Sequence, residues 1–141
     1  MPADKISTKR IGDVYETHAC QMVRAKGLEI IARNYHAARL GEIDIIATEY
    51  RTDRAGRTIK TLVFIEVRAR RHGRQVYALG AESITPTKQK KIIQAAQHFM
   101  QQHEQFADFD CRFDVIVFDE FTKQSYAHHD GEWIQAAFLG E

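Results

Sequence analysis

The hydrophobic pattern changes period along the chain. Ile11, Val14, Tyr15, Ala19, Met22 and Val23 recur at the spacing of an amphipathic helix. That helix is predicted to start at Ser7 or Thr8 and run to about Lys26, with Gly27 as its C-cap. A short strand over residues 29–34 follows, then two stronger ones over 41–50 and 61–68. The polar connection 51–60 carries Asp53 and Gly56, so the two strong strands are predicted to form a hairpin. Thr85 can cap a second helix and Pro86 suits its first position. Ile92, Ile93, Ala95, Ala96, Phe99 and Met100 would face the core from it, and it ends near Gln102. A fourth strand is predicted over 112–118, and the stretch around Trp133 reads equally as a last strand or a short helix. Helix, three strands, helix and strand in that order predict an α/β fold, a central mixed β-sheet flanked by helices.

Composition bounds this picture without redirecting it. The chain has 141 residues, 44% of them hydrophobic and 28% charged, which suits one domain over 1–141 with one sizeable core. No repeat or long linker divides it. No run approaches the roughly 18 apolar residues of a membrane span, and residues 1–13 lack the apolar stretch of a secretory signal. Cys20 and Cys111 belong to no Cys-x-x-Cys or Cys/His pattern and read as free thiols. A cytoplasmic protein with no membrane partner is expected.

The formal net charge is only +1, but its distribution is uneven. Arg68, Arg70, Arg71 and Arg74 fall within seven positions, Lys88, Lys90 and Lys91 follow on the second helix, and many of the acids come after Glu104. A basic middle suits an anion-binding face; a solvated charged loop explains the same residues equally well.

The hairpin carries the candidate chemistry. A turn centred near Ala55 pairs residues whose numbers sum to about 110, which sets Asp44 opposite Glu66 and Glu42 opposite Arg68. All four side chains then share one sheet face. Opposed Cβ atoms lie roughly 4.5–5.5 Å apart, and like charges at that distance are destabilising. A divalent cation held by Asp44 and Glu66 would neutralise them, and an all-oxygen donor set favours Mg²⁺ or Mn²⁺. The plainer alternative is a solvated face on which these acids pair with Arg68. Against it, aspartate is a poor strand residue, and Asp44 sits within Ile43-Asp44-Ile45-Ile46. Glu16 falls in line with Ala19, Cys20 and Val23 on the first helix, so a third carboxylate sits on or beside its buried stripe. Lys88, in the first turn of the second helix, suits a phosphate; each of these two is also an ordinary helix-edge residue. His128 and His129 read as solvated loop, and Asp114 as a structural partner of Arg112.

Gly41-Glu42-Ile43-Asp44-Ile45-Ile46-Ala47, Phe64-Ile65-Glu66-Val67-Arg68-Ala69-Arg70 and Arg112-Phe113-Asp114-Val115 closely resemble the YraN family, also called UPF0102. Gly12, Glu16, Arg33-Asn34, Lys88 and Ala95 extend the match over nearly the whole chain. The family is similar to archaeal Holliday-junction resolvases and to the PD-(D/E)xK nucleases. The resemblance implies a restriction-endonuclease-like fold. It also implies a catalytic set that carries over to Asp44, Glu66, Arg68 and Glu16, with Mg²⁺ as cofactor. This chain departs from the nuclease pattern in one place: Arg68 stands where a lysine is usual. Arginine keeps the charge but is forked and never deprotonates.

The expectation is a metal-dependent nuclease acting on branched or structured DNA by phosphodiester hydrolysis, with Arg70, Arg71, Arg74 and Lys88 holding the backbone. The alternatives are a nucleic-acid-binding module of the same fold that does not cleave, and a protein-interaction domain with ordinary surface acids. A homodimer fits the resemblance, although no exposed apolar stripe demands one.

Overall fold

In the computed structural model, residues 8–70, 84–119 and 131–140 are described. Helix α1 spans Thr8–Ala25, and strands β1 (Glu29–His36), β2 (Glu42–Thr52) and β3 (Thr58–Arg70) follow. Helix α2 spans Pro86–Gln102; a 3-10 turn at Glu104–Phe106 leads into β4 (Asp110–Asp119), and β5 (Glu132–Phe138) closes the sheet. The strands lie side by side in sequence order. All neighbours are antiparallel except β3 and β4, which are parallel. A parallel pair needs a long crossover, and the segment containing α2 supplies it. The stretch around Trp133 is therefore a strand, and the sheet has five strands flanked by two helices. This is the α/β, restriction-endonuclease-like arrangement.

Local chemistry explains the boundaries. Leu28 N–H bonds the Val23 carbonyl at 3.3 Å and Gly27 N–H that of Arg24 at 2.9 Å, with Gly27 at φ +87°. That is a Schellman ending, and Val23 and Leu28 pack together beneath it. At α2 the Thr85 hydroxyl accepts from Lys88 N–H at 3.2 Å, with Pro86 opening the helix. The Asp53 carboxylate closes the β2–β3 turn by accepting from the N–H groups of Ala55 (2.9 Å) and Arg57 (2.8 Å). Both strands run further toward this turn than their apolar residues alone predict. The register is the predicted one: partners sum to 110 from Thr52↔Thr58 to Ile45↔Ile65.

The central strand β3 is covered on both faces, and Leu62-Val63-Phe64-Ile65 is buried without interruption. One apolar layer joins α1 (Tyr15, Ala19, Cys20, Val23) to Ile45, Val63, Ile65, Ile116 and Phe118. The other joins α2 (Ile92, Ala95, Ala96, Phe99) to Ile46, Leu62, Phe64, Phe113 and Val115. In it, Phe64 stacks on Phe113 with ring centres 5.4 Å apart and meets Phe99 edge-on at 6.2 Å. On β2 the period-two rule fails. Ile43 and Ile45 are two residues apart yet belong to opposite layers. Between them lies Asp44, level with Asn34 of β1, whose φ is +51°. The sheet turns over at this point, and a carboxylate sits at the turn.

Strand β5 is held by a buried carboxylate. Asp114 is fully buried, and the β4–β5 register slips between Phe113 and Val115. Its oxygens take Ala136 N–H (2.9 Å), Trp133 Nε1–H (2.9 Å) and two donors of Arg112 (2.9 and 3.1 Å). Arg112 also reaches Glu49 at 2.9 Å, which ties β4 to β2 across β3. Asp114 is thus the structural partner of Arg112 that its sequence position suggests. Removing one member of a buried pair leaves the other uncompensated and costs about 3–5 kcal/mol. Asp114→Ala should lose that much in urea unfolding, and a loss below about 1 kcal/mol, the scale of an exposed pair, would show that the network does not hold β5.

Candidate functional site

The acid pair forms where β2 and β3 part. The ladder between them ends at Ile45–Ile65, so Asp44 and Glu66 are next in register but are not ladder partners. With no β2 carbonyl in place, Val67 N–H bonds Asp44 Oδ2 instead, at 2.8 Å. This holds the carboxyl group beside Glu66, whose charge acts on it. Glu66 is 7% exposed and pairs through Oε1 with Lys88 Nζ of α2 at 2.9 Å. Burial first, and then the charge of Glu66, raise Asp44 to about 8, well above the ordinary carboxyl value, although the Val67 N–H opposes the shift. Asp44 therefore keeps its proton to higher pH than an ordinary carboxyl group does.

The third acid lies close but is otherwise engaged. Glu16 is 7% exposed on α1, and its Oε1 lies 3.3 Å from Arg33 Nε. Asn34 acts on its carboxyl in the same lowering direction as Arg33, less strongly. Its charge reaches Asp44 and adds to the upward push there, while its own carboxyl is raised by burial against the opposing effect of Arg33. Among the described residues, no three His, Cys, Asp or Glu side chains are grouped to hold a metal ion. The expected carboxylate triad is therefore a pair with a neighbour. Arg33 and Asn34, adjacent on β1, are the residues that sequence reasoning left without a role. Their signal is the break at Asn34, where a non-glycine residue takes positive φ and lets both side chains approach Glu16.

The remaining expected residues divide. Arg68 lies two residues beyond Glu66 on β3 and is partly buried. Glu42 is not its ladder partner, because the ladder stops short of both; Glu42 Oε2 lies 3.3 Å from His36 Nε2. Lys88, expected at a phosphate, has its ammonium on Glu66. A lysine therefore stands beside the acid pair after all, brought by α2 rather than by the strand that carries Arg68. The side chain of Arg70, and Arg71, Arg74, His128 and His129 altogether, lie outside the described residues.

The pair makes stability depend on pH. The unfolded chain releases the Asp44 proton near pH 4, and the folded one holds it to about pH 8. Its contribution is complete below the lower value, declines between the two and is lost above the higher. Asp44→Asn fixes the neutral form while keeping an oxygen for Val67 N–H. In thermal unfolding without metal, the variant should gain on the parent as pH rises from about 4 to 8, and the gap should then level off. A gap independent of pH would mean that Asp44 holds no extra proton.

With the site described, two comparisons bear on the chain. The family model described as "Uncharacterised protein family UPF0102" matches residues 15–118, from the helix that carries Glu16 to the end of β4. A UPF0102 protein of Psychrobacter sp. strain PRwf-1 is 42% identical, over 99% of this chain and 97% of its own. One from Psychrobacter cryohalolentis is 35% identical over 93% of this chain and 81% of its own. Another, from Acinetobacter baumannii strain AYE, is 36% identical over 92% and 95%. No helix among the described residues is long and apolar enough to cross a membrane. The chain belongs to the UPF0102 family.

Proposed function

We propose that the protein is a divalent-metal-dependent nuclease that hydrolyses phosphodiesters in structured DNA, with Asp44 and Glu66 as the metal-binding acids. The observation that carries this reading is the placing of two buried acids together at the end of the β2–β3 ladder, Asp44 held by Val67 N–H and Glu66 paired with Lys88. A site that retains a proton against burial and a second acid will exchange it for a cation of higher charge. The donor set fits the ion: Mg²⁺ and Mn²⁺ take one or two carboxylates and complete their shell with water and substrate phosphate. A pair of acids is sufficient for that, and a triad is not needed. Bound there, the ion would lower the pKa of a water and steady charge at the phosphorus.

The protein's own groups supply the rest. Val67 N–H fixes the Asp44 carboxylate, so its orientation does not depend on side-chain rotamer alone. Glu66 still faces Lys88. The ammonium of Lys88 is a compact point charge beside the acids, where Arg68 offers a planar fork from β3. Arg68 adds fixed positive charge on β3, and Arg70, Arg71 and Arg74 add more by sequence for the DNA backbone. Glu16, held by Arg33 and Asn34, keeps the acid side of the pocket negative.

The test is incubation with Mg²⁺ or Mn²⁺ on four-way-junction, flap and linear DNA, beside Asp44→Ala and Glu66→Ala. Metal-dependent cutting that drops about 100-fold or more in each variant is expected, since even indirect disturbance of a metal ligand costs 10–100-fold. Metal at about 100 times its dissociation constant should also stabilise the parent by about 2.7 kcal/mol and leave both variants unmoved. Tight, salt-sensitive binding without product would instead identify a binding module of the same fold.

A further inference from the structure

Beside the acid pair lies a groove whose lining suits a strand of nucleic acid. It runs between the β1–β2 turn and the first two turns of α2, with a volume of about 500 Å³. Cavities of a few hundred Å³ accept a ligand of nucleotide size. Arg39, Lys88 and Lys91 contribute cations, and Leu40, 39% exposed, contributes an apolar patch. Glu42 is the acid in the lining, and its carboxylate lies 3.3 Å from His36, which also lines the groove. Arg39 and Lys91 are exposed. Lys88 belongs to both places: it lines the groove while its ammonium is on Glu66. Lys88 therefore joins the groove to the acid pair.

Its walls are built rather than incidental. Ala37 N–H bonds the Gly41 carbonyl at 2.9 Å and Leu40 N–H that of Ala37 at 2.8 Å, closing the turn on itself. Ala38 takes φ +45° and Gly41 φ +155°. A Cβ at Gly41 would lie 2.8 Å from the Lys91 carbonyl oxygen. The turn is thus in direct backbone contact with α2, and Arg39 and Lys91 are held on facing walls.

We infer that this groove binds the nucleotide adjoining the cleaved phosphodiester, with Arg39 and Lys91 on its phosphates and Leu40 against its sugar or base. The inference rests on the nuclease reading and adds to it the path of the strand. Contacts of this kind are independent of base sequence and are lost as salt rises.

The test measures binding of fluorescein-labelled four-way-junction DNA by anisotropy, across a range of KCl and in Ca²⁺ to prevent cutting. The double variant Arg39→Ala/Lys91→Ala is compared with the parent and with a charge-matched control, Arg24→Ala/Lys26→Ala, exposed on the α1 side. Losing two phosphate contacts should weaken binding about tenfold or more and lower the slope of log affinity against log salt by about 2. The control should retain the parent's slope, and Arg39→Lys should recover part of the loss. Unfolding midpoints confirm that all variants fold. If the parent binds but the groove variant keeps its slope, or the control loses as much, the groove assignment is overturned and the nuclease reading stands. If the parent binds no DNA, both fall.

Discussion

The site depends on one hydrogen bond, from Val67 N–H to the Asp44 carboxylate. At the end of the β2–β3 ladder a backbone donor is left without its carbonyl, and a buried N–H cannot remain unpaired cheaply. Asp44 satisfies it. In doing so the side chain is committed to a position against Glu66, in a pocket where Glu16 adds a further negative charge. Each contact is explained by the one before it: the parted strands create the vacant donor, the donor draws the acid, and the acid meets another acid. Lys88 on Glu66 and the proton on Asp44 are what make that meeting tolerable.

The fold uses the same device three times, with different results. At Asp53 the carboxylate closes an exposed turn, and its backbone donors hold it below the ordinary carboxyl value. At Asp114 it closes a register slip deep in the sheet, and Arg112 neutralises it directly. At Asp44 burial, and then the charges of neighbouring acids, shift the carboxyl upward instead. One residue type serving one backbone purpose thus gives a turn, an anchor and a proton-retaining acid, according to its burial and the charge beside it.

Much of this was legible in the chain, and the illegible parts share a cause. The hairpin register follows from the position of Asp53 and Gly56, and the start of α2 from Thr85-Pro86, because both are decided by neighbours in sequence. The reversal of faces at Asp44 breaks the period-two rule that located the acids, so the rule found the pair but not the way it is held. Lys88 could be assigned to a helix, but not to Glu66, since that distance is set by how α2 packs on Phe64 and Ile46. Strand β5 was ambiguous for a similar reason. Glu132–Phe138 shows no clean alternation, and its attachment depends on Asp114, roughly twenty residues away. What sequence withholds here is tertiary: a donor left vacant, and whichever side chain arrives to fill it.

The contact of Gly41 with the Lys91 carbonyl divides the groove into fixed and variable parts. The spacing between its walls is determined by an atom that is not there, so position 41 admits no larger residue without displacing the helix that carries Lys88. Arg39 and Leu40, two and one places earlier, face solvent and bear no such duty. The side chains at these two positions can therefore change while the distance from helix to acids stays as it is. The molecule keeps its frame and its exposed side chains on separate residues of a single tight turn.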